Sequence, residues 1–136
     1  MCATELRVLI VDDSATIRVR LAELLGEIEK IEVVGEAANA GEGLEMARRL
    51  RPDVVTLDVR MPGQSGLEVI GQIKQLEPSP TVIVLTNFPY PAYRNRALDL
   101  GADFFFDKTT ELHEVLEVVE SAAAECRGDP GEQKCL

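Results

Sequence analysis

The chain has 136 residues, 46% hydrophobic and 28% charged, which is the composition of one globular domain with little room for a second. Its 24 acidic side chains outnumber 14 basic ones and leave a net charge of −10, which argues against nucleic-acid binding and against docking on anionic lipid, because both need clustered Lys and Arg. No apolar run approaches the roughly 18 residues of a membrane span, and Glu5 and Arg7 interrupt any signal peptide, so a cytoplasmic protein is expected. In chain order, Leu6–Val11 reads as a short, β-branched buried strand. Ile17, Leu21, Leu24, Leu25 and Ile28 then repeat at helical spacing, with Ser14 available as N-cap. Val33–Ala37 reads as a weaker strand. Asn39 with Glu42 three residues on forms a capping box for a helix carrying Leu44, Ala47 and Leu50. Asp53–Asp58 is a third strand, followed by a Pro- and Gly-rich loop from Met61 to Gly66. A third helix carries Leu67, Ile70, Ile73, Lys74 and Leu76. Thr81–Thr86 is the fourth strand. A fourth helix runs from about Pro91 to Leu100, with Gly101 as its C′ residue. Phe104–Phe106 is the fifth strand, and alternation with burial tendency makes Phe104 and Phe106 core residues. Leu112, Val115, Leu116, Val119, Ala122 and Ala123 stripe the last helix. From Arg127 onward the periodicity ends and a flexible tail, residues 127–136, is expected.

The three cysteines, Cys2, Cys126 and Cys135, form no CxxC pair, and the single His113 cannot complete a zinc site. They read as free thiols in a reducing compartment. Near-continuous apolar strands alternating with amphipathic helices call for a parallel sheet covered on both faces, hence an α/β doubly wound fold. Ligands of such a sheet bind beyond the carboxyl ends of its strands. Those ends carry Asp12 and Asp13 after the first strand, Asp58 after the third, Thr86 and Asn87 after the fourth, and Asp107 and Lys108 after the fifth. Singly, each is commonly a cap, a turn residue or a solvated charge. Jointly they place three carboxylates, a hydroxyl and an ammonium on one sheet edge. Crowded carboxylates repel, and a hard cation such as Mg²⁺ relieves them. An aspartate beside Mg²⁺ and a lysine is a possible phosphoryl acceptor.

The runs Val8–Ser14, Leu57–Gly63, Gly66–Ile70, Val84–Thr86 and Gly101–Asp103 through Lys108, in this order and spacing, resemble a response regulator receiver domain of bacterial two-component signalling, similar to the stand-alone CheY-like members. The resemblance covers about residues 5 to 125 and implies a receiver domain over 1–126. It implies a (βα)5 flavodoxin-like three-layer sandwich with a five-stranded parallel sheet in order 2-1-3-4-5. It makes Asp58 the phosphoacceptor. Asp12 and Asp13 become the Mg²⁺-binding acid pair, with Asp13 the direct ligand and Asp12 acting partly through water. Arg60 contributes its backbone carbonyl to the metal. Lys108 pairs with the acceptor, Thr86 is the switch hydroxyl and Phe105 the switch aromatic that turns inward. The donor would be a sensor histidine kinase or a phosphotransfer protein. The output would be contact between the remodelled face of the fourth helix, fifth strand and fifth helix and a protein target, from a monomer or a phosphorylation-dependent dimer. Such a chain is a switch and not an enzyme of metabolism. A phosphatase would need an Asp-x-Asp pair or a lid insertion, and neither is present. A receiver belonging to a larger DNA-binding regulator would share every residue named.

Three departures from the pattern stand out. Thr109 follows the lysine where the family has Pro in a cis bond. A cis bond to a non-proline costs about 2.5–4 kcal/mol, so a trans Lys108–Thr109 bond is expected. Asn87 and Phe88 follow the switch threonine, in a stiff loop with Pro89 and Pro91, where they would limit water access to an acyl phosphate. The last helix bears Glu111, Glu114, Glu117, Glu120 and Glu125 with no Lys or Arg through Cys126. That is a solvated face or an acidic docking strip, with Arg94 and Arg96 nearby for selectivity.

Overall fold

A computed structural model describes residues 5–59, 65–87 and 90–127 of the chain, with side chains in the last helix to Ala124. Arg60, the Met61–Gly63 segment, Phe88, Pro89, Cys2, Cys135, the Cys126 side chain and residues 128–136 lie outside it, and with them the expected carbonyl ligand, water shield and tail. Strands β1 (Leu6–Val11), β2 (Ile31–Ala37), β3 (Val54–Leu57), β4 (Thr81–Thr86) and β5 (Phe104–Asp107) alternate with helices α1 (Ala15–Gly26), α2 (Ala40–Leu50), α3 (Leu67–Lys74), α4 (Pro91–Asp99) and α5 (Leu112–Arg127). The sheet is parallel throughout, in order β2-β1-β3-β4-β5.

Alternation along each strand divides the core into two layers. Leu9, Val11, Val55, Leu57, Val82, Val84 and Phe105 face α2, α3 and α4, where Leu44, Ile70, Ile73 and Ala97 meet them. Val8, Ile10, Val54, Ile83 and Leu85 face α1 and α5, against Leu21, Leu25, Val115 and Val119. No side of β1, β3 or β4 is left to water, which is why their sequences are continuous apolar runs.

The caps form as the sequence directs. Ser14 Oγ accepts from the Ile17 amide at 3.3 Å. Asn39 Oδ1 accepts from the Glu42 amide at 2.8 Å, and Glu42 reaches back to the Ala38 amide at 2.9 Å, one residue before the cap amide itself. Gly101 takes φ +114° just past α4, a conformation that strains a side chain. Strand β2 begins at Ile31, two residues ahead of the expected start, because Lys30 turns the chain at φ +72° and the Leu6 amide pairs with its carbonyl. The Lys108–Thr109 bond is trans; the cis bond among the described residues precedes Pro78.

The expectation for Phe104 and Phe106 is corrected. The two rings do share a face and stack at 5.9 Å. It is Phe105 between them that is buried, 7% exposed, while Phe104 is 37% exposed and Phe106 only half-buried. The reason is that β5 ends the sheet, so its outer face is only partly covered by α5.

Asp103 anchors the start of β5. Its Oδ2 accepts from the Val82 amide at 2.9 Å and from Lys74 Nζ at 2.8 Å. Asp103→Ala leaves that amide without its acceptor. Urea denaturation should show a loss of about 1–2 kcal/mol.

Candidate functional site

The site forms where β1 and β3 end side by side. The Asp12 amide donates to Ala37 of β2, and the Asp58 amide to Val11 of β1, which fixes both aspartates at the carboxyl edge of the sheet. Asp12 and Asp58 are buried and Asp13 is exposed. One carboxylate oxygen from each of the three lies within 4.8 Å of the others. Lys108 is held over this group because its amide donates to the Thr86 carbonyl at 2.8 Å, extending the β4–β5 pairing by one residue. Its Nζ bridges the two buried aspartates, at 2.7 Å from Asp12 Oδ2 and 2.9 Å from Asp58 Oδ2. Thr86, at the end of β4, is fully buried.

The electrostatics follow from this geometry. Burial works against the Lys108 ammonium, but hydrogen bonds and charge from Asp12 and Asp58 outweigh it and raise its pKa above the ordinary 10.5. Three carboxylates against one ammonium leave two unbalanced negative charges, the complement of a divalent cation. All three carboxylates offer hard oxygen donors, which suits Mg²⁺ or Ca²⁺ and not a thiophilic metal.

Several supporting contacts were not legible beforehand. The bridge from Lys108 to Asp12 is one, since the resemblance pairs the lysine with the acceptor alone. Arg18 of α1 is another: its Nη1 donates to the Asp12 carbonyl at 2.5 Å and its Nε lies 3.5 Å from Glu36 Oε1. In the β5–α5 loop, the Thr109 amide and hydroxyl both donate to Asp107 Oδ1, at 2.8 and 2.7 Å. Glu111 Oε1 in turn accepts from the Asp107 amide at 2.8 Å. The Thr109 hydroxyl and then its amide hold the Asp107 carboxyl below its usual 3.8. This turn of hydrogen bonds is built on the Thr that stands in the family's Pro position. An Asp two residues before a Thr was the available signal.

Gly66 is the fourth such feature. A Cβ there would run into the Asp58 carbonyl oxygen and come within 3.0 Å of its carbonyl carbon. The Gly66 amide also donates to the Val59 carbonyl at 2.8 Å, so the start of α3 lies directly against the backbone of Asp58. Gly66→Ala should cost about 1–3 kcal/mol in urea denaturation. It should also slow any chemistry at Asp58 by displacing that residue.

The response regulator receiver domain model matches residues 8–120. Two protein-glutamate methylesterase/protein-glutamine glutaminases, from Hahella chejuensis and Alkalilimnicola ehrlichii, are each 42% identical over 78% and 76% of the chain. The chain spans only about a quarter of their length, 28% and 27%. Protein CcdB of Bacillus subtilis is 37% identical over 83% of the chain and is itself 93% covered. Among solved structures, a response regulator of Burkholderia pseudomallei with a phosphorylated aspartic acid, calcium ion and citrate superposes at TM-score 0.76 and 26% identity, over 90% of this chain and 71% of that one.

Proposed function

The chain belongs to the response regulator receiver domain family of two-component systems, and on that premise we propose that it is a phosphoryl switch whose acceptor is Asp58. The observation that carries the proposal is the Lys108 ammonium bridging Asp12 and Asp58 within a cluster of three carboxylates. The donor is a phosphohistidine on a sensor kinase or phosphotransfer protein. An Asp58 carboxylate oxygen forms a bond to phosphorus while the P–N bond breaks, and the imidazole nitrogen keeps the electron pair. Asp12, Asp13 and Asp58, with the Arg60 carbonyl, are the residues to hold Mg²⁺. When bound, that ion neutralises charge on the transferring group. Lys108 moves its hydrogen bond from Asp58 to a phosphoryl oxygen and keeps its other bond to Asp12. It thereby stays anchored while stabilising the charge that develops.

Thr86 is the residue to hydrogen-bond the phosphoryl group, because it ends the strand next to Asp58. Phe105, buried beside Val84 in this structure, is already in the inward position that the phosphorylated form is to hold. The readout face is then α4, β5 and α5, met by a protein target. The 93% coverage of a curated relative supports action as a stand-alone regulator. None of the helices among the described residues is long and apolar enough to cross a membrane, and a cytoplasmic site of action is part of the proposal. The test is incubation with acetyl phosphate and Mg²⁺, read by intact mass. One phosphoryl group per chain, lost when EDTA replaces Mg²⁺, is expected. No uptake under any divalent condition would overturn the reading.

A further inference from the structure

The open edge of the sheet carries a feature that the phosphoryl switch does not use. Strand β5 is the last in the order and has no neighbour beyond it. Exposed edges are usually kept soluble by charge or Pro. This one instead carries three phenylalanines in a row. Phe105 turns toward the α2–α3–α4 layer. Phe104 and Phe106 turn the other way, toward α5, and stack with planes 12° apart. Together with Val118 and Ala122 of α5 they floor an open groove of about 640 Å³. Phe104 is the largest exposed piece of that floor, at 37%. Glu114 and Glu117 rim it, and His113 is paired with Glu117 at 3.2 Å. None of the described lining residues is Lys or Arg.

From this juxtaposition we infer that the groove between β5 and α5 is a docking site for a cationic segment of a partner protein, one that sets an apolar side chain on the Phe104–Phe106 pair and Arg or Lys side chains on Glu114 and Glu117. Charge complementarity selects the occupant. A second copy of the chain, at net charge −10, brings like charge to the rim and is disfavoured. The site goes beyond the switching face, because Phe104 and Phe106 lie on the opposite side of β5 from Phe105. Occupancy is therefore independent of phosphorylation. A partner recruited here stays bound while the other side of the strand reports the state of Asp58.

The probe is a fluorescein-labelled peptide alternating Arg with Leu, titrated into the full chain and read by anisotropy. Phe104→Ala should weaken binding about fivefold or more, and the pair Glu114→Gln with Glu117→Gln should do the same. A remote pair on the α1–β2 connection, Glu27→Gln with Glu29→Gln, should leave affinity unchanged. Equal loss in the remote pair means undirected attraction to an acidic chain and overturns the site. An unaltered affinity in Phe104→Ala does so too. Affinity that arises only with beryllofluoride and Mg²⁺ assigns the peptide to the switching face and overturns a separate groove. A dimer in the unliganded wild type that Phe104→Ala dissolves makes a second copy the occupant and overturns the assignment. Phe104→Ala should take up phosphoryl groups at the wild-type rate. That measurement keeps this inference distinct from the role of Asp58, since either can fail without the other.

Discussion

Asp58→Asn should take up no phosphoryl group from acetyl phosphate in the presence of Mg²⁺, falling to the background of untreated protein by intact mass or Phos-tag electrophoresis. The amide is close to the carboxylate in shape, so the fold is expected to persist. Its oxygen still accepts from Lys108 Nζ, and Asp12 remains 2.7 Å from the same ammonium. What is lost is the nucleophile, because a neutral amide does not attack phosphorus as a carboxylate does. The charge of the cluster also changes. Two carboxylates against one ammonium leave a single unbalanced negative charge where the wild type has two. Divalent-ion affinity should therefore fall together with uptake, while apo-protein stability changes by no more than about 1 kcal/mol, since relief of carboxylate crowding offsets a weaker hydrogen bond. Uptake undiminished in Asp58→Asn would place the acceptor elsewhere. Asp13, exposed and within the same cluster, would then be the next residue to replace.

How much of this was readable beforehand depends on the range of the interaction. The central strands declare themselves because burial on both faces leaves only apolar residues, as in Val8–Val11 and Val82–Leu85. Ser14, the Asn39–Glu42 box and Gly101 act within four residues of themselves, so their roles are visible in the local string. The strand-end rule brings Asp12, Asp13, Asp58, Thr86 and Lys108 to one edge, and the structure does assemble the three aspartates and the lysine. The pairing within the cluster is a different matter. Whether Lys108 reaches one carboxylate or two depends on the spacing of β1 and β3 and on the Thr86 carbonyl that positions it, neither of which the sequence states. The same holds for Phe104 and Phe106. Alternation puts them together, but three identical residues give no sign of which face the helices cover. The edge position of β5 decides it. Gly66 shows a third limit: the close approach of its Cα to the Asp58 backbone is a tertiary contact, and a glycine in a loop is not evidence of it.

Lys108→Met should separate the structural and chemical tasks of the ammonium. Methionine keeps the length and apolar stem of the side chain and removes the charge. In the wild type the ammonium sits between two buried carboxylates, with its own side chain only 4% exposed. Taking it away leaves both carboxylates buried beside Asp13 without a cation, and removing one partner of a buried ion pair costs about 3–5 kcal/mol. Urea denaturation in EDTA near neutral pH should show a loss at the low end of that range, about 3 kcal/mol, because the exposed Asp13 keeps one side of the cluster wet. The pH dependence has a definite sign. The Lys108 pKa is raised on folding, so its contribution is fully present below the ordinary 10.5 and is lost as pH climbs through the raised value. The gap between wild type and Lys108→Met should therefore be flat from neutrality to pH 10.5 and should close only above it. Adding Mg²⁺ should reverse much of the loss. The variant cluster carries three uncompensated carboxylates and binds a divalent ion more tightly than the wild type, and a ligand at 100 times its Kd stabilises by about 2.7 kcal/mol. Phosphoryl uptake should not recover with stability, since no ammonium is left to meet the phosphoryl oxygen. A variant equally stable with and without Mg²⁺ would show that the three carboxylates do not hold the ion. A variant that regains both stability and uptake in Mg²⁺ would confine Lys108 to balancing charge in the apo fold.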